Sequence, residues 1–132
     1  MHPVANRILS ALLLAGAVCA AAQQSVKPEE GTIRGWLSDE SCARGRAEAG
    51  TYTATNPQCA KESVAKGKKI VLIDPDRKMI FDISNQSLAK NHVGDFVEIS
   101  GETNLQAKTI HIASLKMLSV GVASCGRPKL SN

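Results

Sequence analysis

Aromatic residues are nearly missing from this 132-residue chain: one Trp, one Tyr and two Phe, 3% of the sequence. Trp36, Tyr52, Phe81 and Phe96 are too few for the rows of stacking platforms that hold single-stranded nucleic acid. Charge of one sign is not in large excess either. Sixteen Lys and Arg stand against twelve Asp and Glu, a formal net charge of +4. The cations are spread along the chain rather than gathered into a nucleic-acid footprint. The densest patch, Lys66-Gly67-Lys68-Lys69, reads as a helix end and a turn. Cys-x-x-Cys, a nucleophile elbow, a P-loop and His-Glu-x-x-His are all absent, so no motif names an enzyme class. No His lies between residues 31 and 69, so Cys42 and Cys59 have no imidazole close in sequence to help complete a zinc site. No apolar run reaches the roughly 20 residues of a membrane-spanning helix.

What is present is the composition of one globular domain, 43% hydrophobic and 21% charged. The longest apolar stretch, Ile8 to Val18, follows Arg7 and precedes the small residues Cys19-Ala20-Ala21-Ala22. That is the pattern of a secretory signal peptide over residues 1–22, cut after Ala20 or Ala22. Val18 before Cys19 is too bulky for lipid attachment at that cysteine. Export to the periplasm or the extracellular space follows, with no membrane insertion after cleavage. Residues 23–30, polar and containing Pro28, read as a flexible leader, with order beginning near Gly31.

From Thr32 to Ser38, Ile33, Gly35 and Leu37 share one face and Thr32, Arg34 and Trp36 the other, the alternation of a strand. Gly35 in its middle points to a bulge or sharp bend. Ser38 to Thr55, with little periodicity, reads as a long loop. Asn56-Pro57 opens a helix ending at Gly67, with Ala60 and Val64 inward. Ile70 to Ile73 and Met79 to Ile83 form a hairpin across Asp74-Pro75-Asp76-Arg77. A second short helix is expected over Ser84–Gly94, with Leu88 and Ala89 inward. Asp95–Glu102 and Thr109–Leu118 complete the strands, and residues 119–132 form a tail. The order predicts a mainly β fold with two short helices, a five-stranded OB-like small barrel over residues 31–118.

Removing the leader peptide leaves Cys42, Cys59 and Cys125, an odd number in an oxidising compartment. A Cys42–Cys59 disulfide would staple the long loop to the following helix and contribute roughly 3 kcal/mol, leaving Cys125 as a free thiol or an intermolecular partner. Metal binding by Cys42 and Cys59, with Asp39 and Glu40 as the nearest further ligands, and thiol redox chemistry are the alternatives. His92 and His111 read as surface residues. Arg34, Trp36 and Asp39, beside the Cys42 loop, are the candidate ligand-binding residues.

The segments Gly35-Trp36-Leu37-Ser38-Asp39-Glu40-Ser41-Cys42, Cys59-Ala60-Lys61-Glu62-Ser63, the Ile70–Ile83 hairpin, Val97-Glu98-Ile99-Ser100-Gly101 and Thr109-Ile110-His111-Ile112 resemble a family of short exported bacterial proteins of uncharacterised function with an OB-like domain. Its pattern has an Asp-x-x-Cys turn and a Cys-x-x-x-Cys helix. Cys42 and Cys59 match the first two cysteines; Ser63 stands at the third and Ala43 where Gly is usual. The resemblance implies the fold and no particular activity.

Taken together, these features predict an exported, non-enzymatic binding or structural module. It would carry no cofactor or metal, and its partner would be a small molecule or a protein, not nucleic acid. N-terminal sequencing of the secreted protein is expected to begin at Ala21 or Gln23; finding Met1 or a lipid-modified Cys19 would refute export by this route.

Overall fold

The structure is a computed structural model that describes residues 27–121. The expected signal peptide and Cys125 lie outside the described residues. The elements run β1 (Glu29–Asp39), α1 (Glu40–Glu48), α2 (Pro57–Ala65), β2 (Ile70–Asp74), β3 (Met79–Ile83), two single 3-10 turns (Gln86–Leu88 and Lys90–His92), β4 (Phe96–Asn104) and β5 (Thr109–Ser119). The five strands close in a ring in the order β1-β2-β3-β5-β4. This is the expected mainly β, OB-like arrangement. Every pairing is antiparallel except β3 with β5. Among the described residues no helix is long and apolar enough to cross a membrane.

β1 is the strand that serves both sides of the ring. Its first part pairs with β4 from Glu29↔Thr103 to Trp36↔Phe96, and its last part pairs with β2 from Trp36↔Ile73 to Asp39↔Ile70. The transfer occurs at Gly35–Trp36. A side chain on Gly35 would run into the backbone carbonyl of Ile73, so only glycine admits this approach. Gly35 therefore marks a close backbone approach rather than a bulge, since the β1–β4 register runs through it without a shift. Strand pairing begins at Glu29 rather than near Gly31, because Glu29 and Glu30 are paired with β4.

The alternation of β1 sends Ile33 and Leu37 inward, where they meet Leu72, Phe81, Val97, Ile99, Ile110 and Ile112 in the barrel interior. α2 adds Ala60 and Val64 to this cluster, as their helical spacing predicts. Its first turn is held by Asn56, whose side chain accepts from the backbone N–H of Gln58 and Cys59. β2 is buried on both faces. Its second face forms a separate cluster of Val71, Ile73, Ile80 and Ala43, with Trp36, Ala47 and Tyr52 packed on it.

That second cluster explains the main departure from the sequence expectation. Residues 40–48 are a helix, not part of a loop. Asp39 caps it, accepting at 3.1 and 3.0 Å from the N–H groups of Ser41 and Cys42. Glu40 in the first turn and Arg46 in the last suit the helix dipole. The helix shows only a weak apolar signature because its inward residues, Ala43 and Ala47, are small. They let it lie close over β2 and β3.

The second expected helix, Ser84–Gly94, is replaced by the two 3-10 turns. The chain there is tied to two strands by side-chain amides that act as extra strand pairing. Asn85 accepts from Ile112 N–H at 2.8 Å and donates to its carbonyl at 2.7 Å. Gln86 accepts from Ile70 N–H at 2.7 Å and donates to the carbonyls of Ile70 and Ile83 at 2.9 and 2.8 Å. The Asn85 bonds extend the short β3–β5 seam, which has only Asp82↔Thr109 and Ile83↔Ile110, and the Gln86 bonds tie the segment to β2. Ala89 is buried as expected, but Leu88 is turned outward.

The exposed Gly45 sits inside α1 with open space around its Cα. Gly45→Ala is therefore expected to raise unfolding stability by about 0.5–1 kcal/mol, measured by urea denaturation. A loss of stability would contradict the helix.

Candidate functional site

The residues singled out in the sequence separate into two places. One is a corner where the N-termini of α1 and α2 both carry a cysteine at the third helical position. Asp39 is fully buried, and its Oδ1 has no hydrogen-bond partner. Beside it the hydroxyls of Ser38 and Thr55, both buried, bond to one another. Cys42 is half-buried and Cys59 exposed, and both are free thiols. The expected Cys42–Cys59 bridge is therefore not formed. α1 directs Cys42 toward the interior side of the corner, while α2 presents Cys59 to solvent. Burial first, then the Asp39 carboxylate, then Cys59 push the Cys42 thiol above the ordinary value, and Arg46 opposes them. Among the described residues no group of three His, Cys, Asp or Glu is placed to hold a metal ion.

The expected ligand residues do not converge. Arg34 is an exposed β1 residue paired with Glu98 at 2.7 Å. Trp36 is half-buried, stacked obliquely on Phe96 with ring centroids 4.9 Å apart and packed on the β2–β3 outer cluster. Asp39 is occupied as the cap of α1. His111 bonds Ser84 through Nδ1 at 2.9 Å, and His92 lies 3.6 Å from Asp95.

The second place is a groove of about 330 Å³. One wall is α1 and the residues after it: Arg44, Ala47, Glu48 and Tyr52. The other is the start of β3 with two turn lysines: Lys78, Met79, Ile80 and Lys108. Two similar turns build the second wall. In the β2–β3 turn, Asp74 Oδ1 accepts from the N–H groups of Asp76 and Arg77 at 2.9 and 3.0 Å. In the β4–β5 turn, Asn104 Oδ1 accepts from Ala107 N–H at 2.8 Å. Each turn ends in a lysine with φ of 52°, Lys78 and Lys108. The Lys108 carbonyl accepts from Asp82 N–H at 2.9 Å, which brings the second turn against β3. Arg44 pairs with Asp82 at 2.5 Å and separates this groove from a second cavity of about 420 Å³ that it also lines.

Of the groove residues on the α1 side, only Tyr52 stands out in the sequence, as one of the four aromatic residues. Arg44 and Glu48 were hidden by the unrecognised helix. Lys78 and Lys108 carry one signal: each closes a four-residue connection that directly follows an Asx residue, at a place where glycine is usual. No family model matches the chain, and no curated protein or solved structure does.

Folding raises the Cys42 pKa, so the native state favours its protonated form. That contribution is complete below the ordinary thiol pKa and is lost as pH rises through the folded value. Alkylation of Cys42 by iodoacetamide, followed by peptide mapping, should show a pH midpoint above the ordinary thiol value of about 8.5. Asp39→Asn, which keeps a good helix cap, should lower that midpoint. A midpoint at or below the ordinary value would refute the assignment.

Proposed function

We propose that the protein is an exported, non-enzymatic binding module whose ligand seat is the groove between α1 and the two lysine-bearing turns. The observation that carries this reading is the composition of the groove walls. Arg44, Lys78, Lys108, Glu48 and Tyr52 surround one concavity of about 330 Å³, a size within the range of small-ligand sites. Side chains from three separate connections and one helix meet there, as function on small barrels commonly resides in the loops at one end. On an OB barrel the outer face of β2 and β3 is the usual ligand platform. Here α1 covers that face, so the groove at the edge of α1 is what remains open.

The alternative, redox or metal chemistry on Cys42 and Cys59, has less support. A thiolate is the nucleophile and the metal ligand, and burial beside Asp39 favours the protonated Cys42. A structural disulfide between the two cysteines has no support from the positions of their free thiols.

Titrating the ¹⁵N-labelled protein with a mixture of neutral and acidic mono- to trisaccharides and short peptides tests the seat. Amide shifts should cluster at Arg44–Tyr52, Lys78–Ile80 and Lys108. No shifts, or shifts confined to the Arg34–Trp36 surface, would reject the groove as the binding site.

A further inference from the structure

Lys78 and Lys108 share an uncommon conformation. Both have φ of 52°, the left-handed region that a lysine occupies at a cost and that Gly or Asn occupies more readily. Neither turn needs a long side chain for its own hydrogen bonds, which come from Asp74 and Asn104. Two strained lysines at corresponding places in two turns, both lining one cavity, are outliers of the kind that lead from geometry to function. Among the described residues neither has a carboxylate within ion-pairing distance; the ion pairs present are Arg34–Glu98, Arg44–Asp82, Arg77–Asp74 and His92–Asp95. Both ammonium groups are therefore available to a ligand.

We infer that the groove binds a short acidic saccharide, its anionic groups held by Lys78 and Lys108 and a ring face set against Tyr52. This rests on the groove being the ligand seat. β3 and β5 are parallel, with Asp82 opposite Thr109, so Lys78, just before β3, and Lys108, just before β5, reach the groove from the leading ends of two adjacent strands. Two cations carried by separate turns suit a ligand with more than one anionic group. Glu48, on the facing wall, accepts hydrogen bonds only. It would take hydroxyl donors of a sugar and repel a ligand made entirely of phosphates. Tyr52 is half-buried on the outer β2–β3 cluster and lines the groove, an amphipathic side chain with part of its surface open to the cavity. It is the single aromatic residue among the groove walls, so a strand of stacked bases has no series of platforms to follow. Arg44 contributes less, because its charge is directed to Asp82.

The test is calorimetric titration of the full secreted chain with trigalacturonate, a sulfated uronate disaccharide, maltotriose and tripolyphosphate, at low and physiological salt. At least one of the two acidic saccharides should bind, more weakly as salt rises, and show which anionic group is preferred. Maltotriose and tripolyphosphate should bind roughly tenfold more weakly or worse. The double variant Lys78→Asn/Lys108→Asn should lose about tenfold or more in affinity for the acidic saccharide, the scale of one charge-assisted contact. Its unfolding midpoint should equal or exceed the parent's, because Asn suits the left-handed conformation. That pair of results separates a ligand role from a structural one.

Binding of neither acidic saccharide overturns the inference. So does equal binding of maltotriose, or tighter binding of tripolyphosphate, or a double variant that binds as the parent does. Amide shifts at the groove with a neutral ligand alone would leave the binding-module reading standing and end this one. Absence of shifts from every class would end both.

Discussion

The whole molecule depends on β1 pairing with two neighbours at once. Its first two thirds belong to β4 and its last residues to β2. That transfer turns a flat sheet into a ring, and it requires the β2 backbone to pass against Gly35. Closure removes the exposed edges that an open five-stranded sheet would present. It also creates the enclosed space that Ile33, Leu37, Phe81 and Ile99 fill. The opposite seam, β3 with β5, is short. Asn85 extends it by pairing with Ile112 of β5, while Gln86 ties the same segment to Ile70 of β2, each such bond contributing on the order of 1 kcal/mol net.

Closing the ring has a consequence on the outside. β2 lies between partners and is buried on both faces, so its outer residues Val71 and Ile73 need cover. α1 supplies it, with Ala43 and Ala47 allowing a close approach and Trp36 and Tyr52 flanking it. The helix that satisfies this packing requirement also occupies the face an OB barrel normally offers to ligands. Its far edge, with the two turns, forms the groove. Structure and proposed function thus meet in one element: α1 completes the second apolar cluster with one side and presents Arg44 and Glu48 with the other.

Much of this was legible along the chain. The strands announced themselves by alternation in β1 and by the continuous apolar run of β2. The β2–β3 turn was marked by Asp-Pro-Asp, and α2 by Asn-Pro at its start. The loop reading of residues 40–48 and the helix reading of residues 84–94 depart from the structure for opposite reasons. α1 was missed because its buried stripe is alanine, and a glycine interrupts it; burial there is set by the closeness of β2, not by large side chains. Residues 84–94 carry a plausible helical pattern, but the amides of Asn85 and Gln86 find better partners on β5 and β2 than a helix would give them. Of the candidate ligand residues, Asp39 and Trp36 are distinctive in sequence yet are taken up by capping and packing.

The sequence by itself determined the succession of strands along the chain, the inward faces of β1 and α2, and the turn chemistry between strands, because these follow from short-range periodicity and backbone preference. Only the tertiary structure decided which distant residues became neighbours. Whether Cys42 meets Cys59, which face α1 covers, and that Lys78 and Lys108 line one groove all depend on how the ring closes. The reason is physical: a turn's conformation is set by four or five consecutive residues, whereas the register that brings two turns to one edge is set by packing across the whole barrel.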